Sequence, residues 1–231
     1  MKLLNYQINQ RMRLIILMNG FYNKRDYVLL MMIILFSITM STFLVINANF
    51  IYGIVIKYLD LNDKYHVSLN VLLHNLKVMT NFIQDPFING MNLTPYHLSK
   101  GAYEHFTDVR KLVMLDYLIL ALSTLYLIIT WYKKIIQREL WKLTDYLKRT
   151  MIILWLLMLI CLIDFNDIFI YLHEMIFPNH NWVFSPKKDP IINVLPDQYF
   201  LCCFAVWFGL VFLLLIGFYG YGKLQIKTNK H

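Results

Sequence analysis

An all-α membrane protein, with four transmembrane helices and a mostly helical and looped extracytoplasmic cap, is the fold class this sequence predicts. Three observations predict it. Hydrophobic residues make up 58% of the chain and aromatic residues 16%, above the roughly 45–50% apolar share of soluble domains; mean hydropathy is +0.50. Four apolar stretches, at 27–56, 112–132, 151–172 and 199–222, each approach the roughly 20 residues that cross a bilayer as helix. Basic residues, finally, gather in alternate joining segments. Residues before 27, the loop 131–150 and the tail hold fourteen of the 22 basic residues. The segments 57–111 and 172–198 are near neutral as formal charge goes. Lys and Arg resist translocation, so both termini are expected to be cytoplasmic.

The elements follow in order. Residues 1–27 form a cytoplasmic N-terminal arm, whose apolar run 14–18 is too short to span and suits an interfacial helix. The first span carries no charge. It is longer than the 7–15 apolar residues of a signal peptide, and no A-x-A-like cleavage site follows, so it is expected to be retained. In the outer segment 57–111, Val67, Val71, Leu72, Leu76 and Met79 recur at helical spacing. Turn residues follow at Asp85-Pro86 and Asn89-Gly90, and a helix over 98–110 leads into the second span. Asp164 and Asp167 fall inside the third span near its outer end. The segment 172–198 contains Pro178, Pro186, Pro190 and Pro196, too many for a continuous helix, and reads as an ordered loop with short extended pieces. The fourth span leads to a cytoplasmic tail, 223–231. The transmembrane domain is thus 28–222, with 57–111 and 172–198 outside.

The net charge of +8 could advertise nucleic-acid binding, but the basic residues flank spans rather than line one soluble face, so no nucleic-acid partner is expected. Membrane lipids are. Cys161, Cys202 and Cys203 lie in the spans, which excludes an outer disulfide framework.

Two histidines, His105 and His173, sit where apolar spans meet the outer face, a place for chemistry on a lipid-bearing substrate. His105 and Asp108 share a helical face, so Asp108 could orient one imidazole nitrogen while the other meets substrate. Asp116, about three turns beyond His105, and Asp164 are carboxylates in apolar text, and such groups face a bundle interior with a partner. An H-E-x-x-H helix and outer cysteines are both missing, so no metal site is expected. A G-x-S-x-G elbow is missing too. The residues leave open a membrane ester hydrolase and a non-enzymatic four-span sensor or accessory protein.

The stretch Ile163-Asp164-Phe165-Asn166-Asp167 through Leu172-His173-Glu174 and Pro178-Asn179-His180-Asn181-Trp182 to Asp189-Pro190, together with Glu104-His105-Phe106-Thr107-Asp108-Val109-Arg110 before the second span, closely resembles the lipoprotein intramolecular transacylase family. The resemblance covers about residues 28–222. It implies a cofactor-independent acyltransferase of the bacterial cell membrane, with its site on the extracytoplasmic side. Its substrates would be diacylglyceryl-modified lipoproteins, whose sn-2 acyl chain moves to the α-amino group of the N-terminal cysteine to give the lyso-form. The family's paired histidines match His105 and His173. On this reading one histidine is base and the other acid, with His105 favoured as base because Asp108 could stabilise its cation. Arg110 and Asn181 are candidates for the developing oxyanion or for substrate placement, and Glu104, Trp182 and Asp164 are supporting candidates. An acyl-imidazole route is the competing mechanism.

Overall fold

A computed structural model describes residues 24–228; the expected interfacial helix at 14–18 lies outside them. The described residues are helical, without strands. Among the described residues, four segments are long and apolar enough to cross a membrane: Lys24–Ile46, Lys100–Tyr132, Ile135–Ile163 and Asp197–Thr228.

Helix α1 (Lys24–Ile46) is apolar all round, as a membrane span must be. Its hydroxyls are satisfied within the helix: Ser37, Thr39 and Ser41 donate to the carbonyls four residues back at 2.7–2.8 Å. Ser37 and Ser41 are fully buried, and such small residues let neighbouring helices approach. The expected uninterrupted stretch 27–56 is not one helix. The chain turns at Asn47, whose Nδ2 donates to the Phe43 carbonyl and to Gln84 Oε1, and resumes as α2 (Asn49–Tyr58). A short α3 (Leu61–Lys64) leads to α4 (Leu69–Gln84), capped by Ser68, where the stripe of apolar residues is expected.

Helix α5 (Lys100–Tyr132) joins the predicted outer helix to the second span without a break. Its 33 residues extend about 50 Å, against about 30 Å of hydrocarbon. The first turns hold Lys100, Glu104, Asp108, Arg110 and Lys111, so 112–132 is the spanning part and His105 stands outside it. After a corner, α6 (Ile135–Glu139), a 3-10 turn (Leu140–Leu143) and α7 (Thr144–Ile163) follow.

The third span is a correction to the sequence reading. Helix α7 stops at Ile163, short of the expected 172, and Asp164, with φ −144° and ψ 86°, caps a separate helix α8 (Phe165–Ile176). The two aspartates therefore stand at a break, not within a span. The segment after α8 has no extended strand; it carries a 3-10 turn at Pro190–Val194. Helix α9 (Asp197–Thr228) runs past the predicted end of the fourth span. Its side chain Gln225 donates to the Ile136 carbonyl and accepts from Trp141 N, so residues expected as tail are helix packed on the inner turn. Gly222 is required there: a Cβ would meet Thr144 Cγ2 at 2.7 Å and the Leu140 carbonyl at 3.2 Å.

Two apolar cores result. One, with Leu29, Ile33, Leu140, Leu147, Val211 and Leu215, closes the basic end of the bundle. The other, with Tyr52, Leu72, Leu76, Phe82, Ile191 and Val194, lies in the cap. Tyr52 donates from Oη to the Val194 carbonyl at 2.6 Å, tying α2 to the loop before α9. The cap thus has its own core and can hold residues rigidly over the ends of the spans.

Candidate active site

Positioning starts from the N-terminus of α5. Ser99 Oγ accepts from Ala102 N at 3.1 Å, capping the helix. The same residue donates from its backbone N and its hydroxyl to the buried carboxylate of Asp189, at 2.7 and 3.1 Å. Asp189 thereby fastens the loop after α8 to the start of α5. Two further amides repeat the attachment one turn apart. Asn181 Nδ2 donates to Glu104 Oε2 at 3.0 Å, and Asn179 Nδ2 donates to Asp108 Oδ2 at 3.1 Å. His105 lies between these two carboxylates in sequence, and the attached loop closes over it.

The result is an aromatic nest holding both histidines. Their ring centroids are 5.9 Å apart. His105 is buried, with Phe177 at 4.8 Å and Phe184 at 5.6 Å. His173 lies 4.1 Å from the ring of Phe169 and 5.1 Å from that of Trp182. Its Nδ1 is 2.7 Å from the Phe169 carbonyl. A carbonyl can only accept, so Nδ1 carries the proton and Nε2 keeps a free lone pair. On the other side of the nest, His105 Nδ1 and Trp182 Nε1 are buried without a partner among the described residues. Buried polar atoms are ordinarily paired. Both orphans belong to rings that flank His173.

Burial among the rings pushes His105 well below the usual imidazole range, to about 4; neighbouring His173 adds to this and Asp108 opposes it. His173 is also lowered by burial, with the Phe169 carbonyl working in the opposite direction. Burial thus favours the neutral form of both rings, and His173 is the one whose Nδ1–H faces a hydrogen-bond acceptor.

Among the residues singled out in the sequence, His105, His173, Glu104, Asp108, Asn181 and Trp182 come together here. Asp108 does so differently than expected: its carboxylate bonds Lys111 Nζ at 2.8 Å and Asn179 instead of orienting the imidazole. Arg110 points away. Its Nε donates to the Phe82 carbonyl at 2.6 Å and its Nη2 to that of Ile88 at 2.9 Å, with the guanidinium 3.6 Å from the Phe82 ring. It closes the C-terminal end of α4. Asp164 is exposed and accepts from Asp167 N at 3.2 Å, nine residues and roughly 13 Å of helix from His173. Asn179, Asp189, Phe177 and Phe184 were not named as site residues. Asp189-Pro190 and Pro178-Asn179 are turn signals, but nothing in their spacing announces that the turns fold back onto α5. Among the described residues, no three His, Cys, Asp or Glu side chains converge on one point.

Comparison with solved structures finds the same architecture. The membrane-integral lipoprotein intramolecular transacylase Lit from Bacillus cereus, solved in meso, superposes with a TM-score of 0.80 at 24% identity, covering 89% of this chain and 98% of that one. Two variants of the same protein, one with a histidine changed to arginine and one with a histidine changed to alanine, give TM-scores of 0.72 and 0.74 at 23% identity. They cover 100% and 98% of this chain and 99% of each of theirs. No curated protein matches. The sequence model of the transacylase Lit matches residues 27–200. With most of its length so matched, this multi-pass membrane protein belongs to the lipoprotein intramolecular transacylase Lit family and is an acyltransferase.

Proposed function

We propose that the protein moves the sn-2 acyl chain of a diacylglyceryl-modified lipoprotein to the α-amino group of its N-terminal cysteine, on the extracytoplasmic side of the membrane, with His173 carrying the proton. The observation that carries this reading is the imidazole pair, 5.9 Å apart, in which His173 has Nδ1 committed to a carbonyl and Nε2 open. In the reaction the amine nitrogen forms the new bond to the acyl carbon, the glyceryl C–O bond breaks, and one proton passes from nitrogen to the glyceryl oxygen. No water and no external nucleophile are consumed.

Each group has a part that its surroundings favour. His173 Nε2 takes the proton from the attacking nitrogen and returns it to the leaving oxygen, since its cation is held by the Phe169 carbonyl. His105 stays neutral, because two charged imidazoles at this separation in aromatic surroundings repel, and hydrogen-bonds the reacting groups. This departs from the sequence expectation of one histidine as base and the other as acid, with His105 favoured as base, by giving both proton steps to His173. Trp182 Nε1–H is the donor for the oxyanion of the tetrahedral intermediate, in place of Arg110. Amine and ester belong to one molecule, so a nest that folds the glyceryl arm towards the amine supplies proximity, and its rings keep water from the ester.

Mass spectrometry of the N-terminal lipopeptide, from cells without other N-acylating enzymes, tests the reading. The wild type should leave the total mass unchanged with one acyl on the cysteine nitrogen, and His173→Gln should leave the free amine. Loss of one acyl mass would make the protein a hydrolase. An unaltered lipopeptide with well-expressed wild type would overturn the proposal.

A further inference from the structure

A recess of about 760 Å³ lies at the other end of the molecule, between α1, α5 and α9. Its walls are apolar and include Phe36, Leu127, Trp131, Leu214, Gly217 and Tyr221. Rim residues Trp131, Tyr132 and Leu213 are exposed, so the recess opens sideways, towards the lipid of a bilayer. Three independent features indicate what fills it.

The first is Gly217. A glycine in a helix interior is disfavoured relative to alanine, and close packing usually explains one, as at Gly222. At Gly217, as at Gly209 and Gly220 of the same helix, a Cβ would meet nothing within 4 Å, and of these three Gly217 is the one that lines the recess. The missing side chain serves no protein contact; it deepens the recess. The second is the aromatic rim, where the rings of Trp131 and Tyr221 lie 5.8 Å apart, in keeping with the preference of such rings for the headgroup layer. The third is charge. Lys133 and Lys134 form the corner between two wall residues, Tyr132 and Ile136, are exposed, and have no acidic partner among the described residues. Lys223 stands one turn beyond Tyr219, over its ring at 5.4 Å. Apolar depth, an interfacial aromatic rim and unpaired cations make up, in that order, the complement of an acyl chain, a glyceryl ester region and a phosphate.

We infer that this recess is a binding site for an intact anionic glycerophospholipid of the leaflet at the basic end of the bundle, its acyl chains against Gly217 and its phosphate at Lys133 and Lys134. The lipid is held, not transformed: the recess is lined by no histidine, cysteine or carboxylate that could activate the hydroxyls of Thr124, Tyr132 and Tyr221. It fills the space between α1, α5 and α9 and so braces the span that carries His105 at its other end. The site is separate from the histidine nest and does not depend on the reaction assigned to it.

Native mass spectrometry of the full chain, extracted from nanodiscs containing equal phosphatidylglycerol and phosphatidylcholine, tests this. The wild type should retain one phosphatidylglycerol. A lysine beside an anionic headgroup is worth about a fivefold preference, so Lys133→Gln with Lys134→Gln should reduce the selectivity for phosphatidylglycerol by roughly 25-fold while a lipid is still retained. Gly217→Phe, which has room for its ring, should expel the lipid and leave the helical circular dichroism unchanged. Retention without headgroup preference, or retention unaltered by Gly217→Phe, would overturn the proposal. So would a wild-type dimer that Gly217→Phe converts to monomer, which would show a second copy of the chain covering the recess.

Discussion

His173 donates from Nδ1 to the carbonyl of Phe169, four residues back on its own helix, and that leaves Nε2 as the acceptor. Replacing it with Gln removes the proposed proton carrier, and the transacylation rate should fall 10²–10⁴-fold. His105→Gln keeps a neutral hydrogen-bonding group and should lose only about tenfold; the opposite ranking in single-turnover assays would return the proton-carrying role to His105. Trp182→Phe preserves the ring beside His173 but deletes the orphaned N–H. It should lower kcat about 10²–10³-fold with little change in KM. Burial lowers both imidazoles, and the sign of the pH effects follows from that. The acid limb of kcat should lie below the 6.5 of a free imidazole, because the proton carrier stays neutral to lower pH. For stability, the unfolded chain binds protons below pH 6.5 that the folded chain refuses, so stability is full above 6.5 and falls with pH towards the folded value, by at most about 1.4 kcal/mol per pH unit for each histidine. Melting curves of purified protein between pH 7 and 4.5 check this, and His105→Phe should flatten part of the slope.

Among the elements, the loop between α8 and α9 does most to assemble the site, and it hangs on Asp189. Asp189→Ala leaves Ser99 N–H without its acceptor and should destabilise the cap by about 2–3 kcal/mol; with the loop unfastened, kcat should fall even where the protein stays folded. Asp164 gives the contrasting case. As an exposed cap of α8 its replacement by Ala should cost about 1 kcal/mol and leave kcat alone, whereas a direct part in the reaction would abolish turnover. The comparison shows what the sequence carries. Charge-free apolar runs announced the spans because lipid forces their composition, and the two histidines stood out because polar, titratable residues cluster at one end of those runs. The breaks at Asn47 and Asp164 were illegible, since hydropathy over a window averages across one polar residue while backbone geometry does not. The tasks of Arg110 and Asp108 were equally hidden. Charge and helical spacing named them as site residues, but their partners, the carbonyls of Phe82 and Ile88 and the amide of Asn179, come from distant segments that only tertiary folding brings near.

At the scale of the whole molecule, two ends of different character are joined by four spans. The cap end has its own apolar core, the histidine nest and near-balanced charge; the other end has the basic corner, where Arg25 pairs with Glu139 and Gln225 ties α9 to the inner turn. Four spans among the described residues bring residues 24 and 228 to one side of the membrane, and the basic residues at 133–149 and beyond 222 support the proposal that this side is cytoplasmic. The proposed reaction calls for the same orientation, because a lipoprotein presents its modified N-terminal cysteine on the outer surface. Lys187 and Lys227 are exposed at opposite ends, so cysteines placed there report the orientation directly. In intact cells a membrane-impermeant maleimide should label Lys187→Cys and leave Lys227→Cys untouched until the membrane is opened, with the wild type, whose three cysteines lie in spans, as background. The reverse pattern would put the histidines in the cytoplasm, where neither the cap nor the imidazole pair could meet this substrate, and the proposed reaction would fail with it.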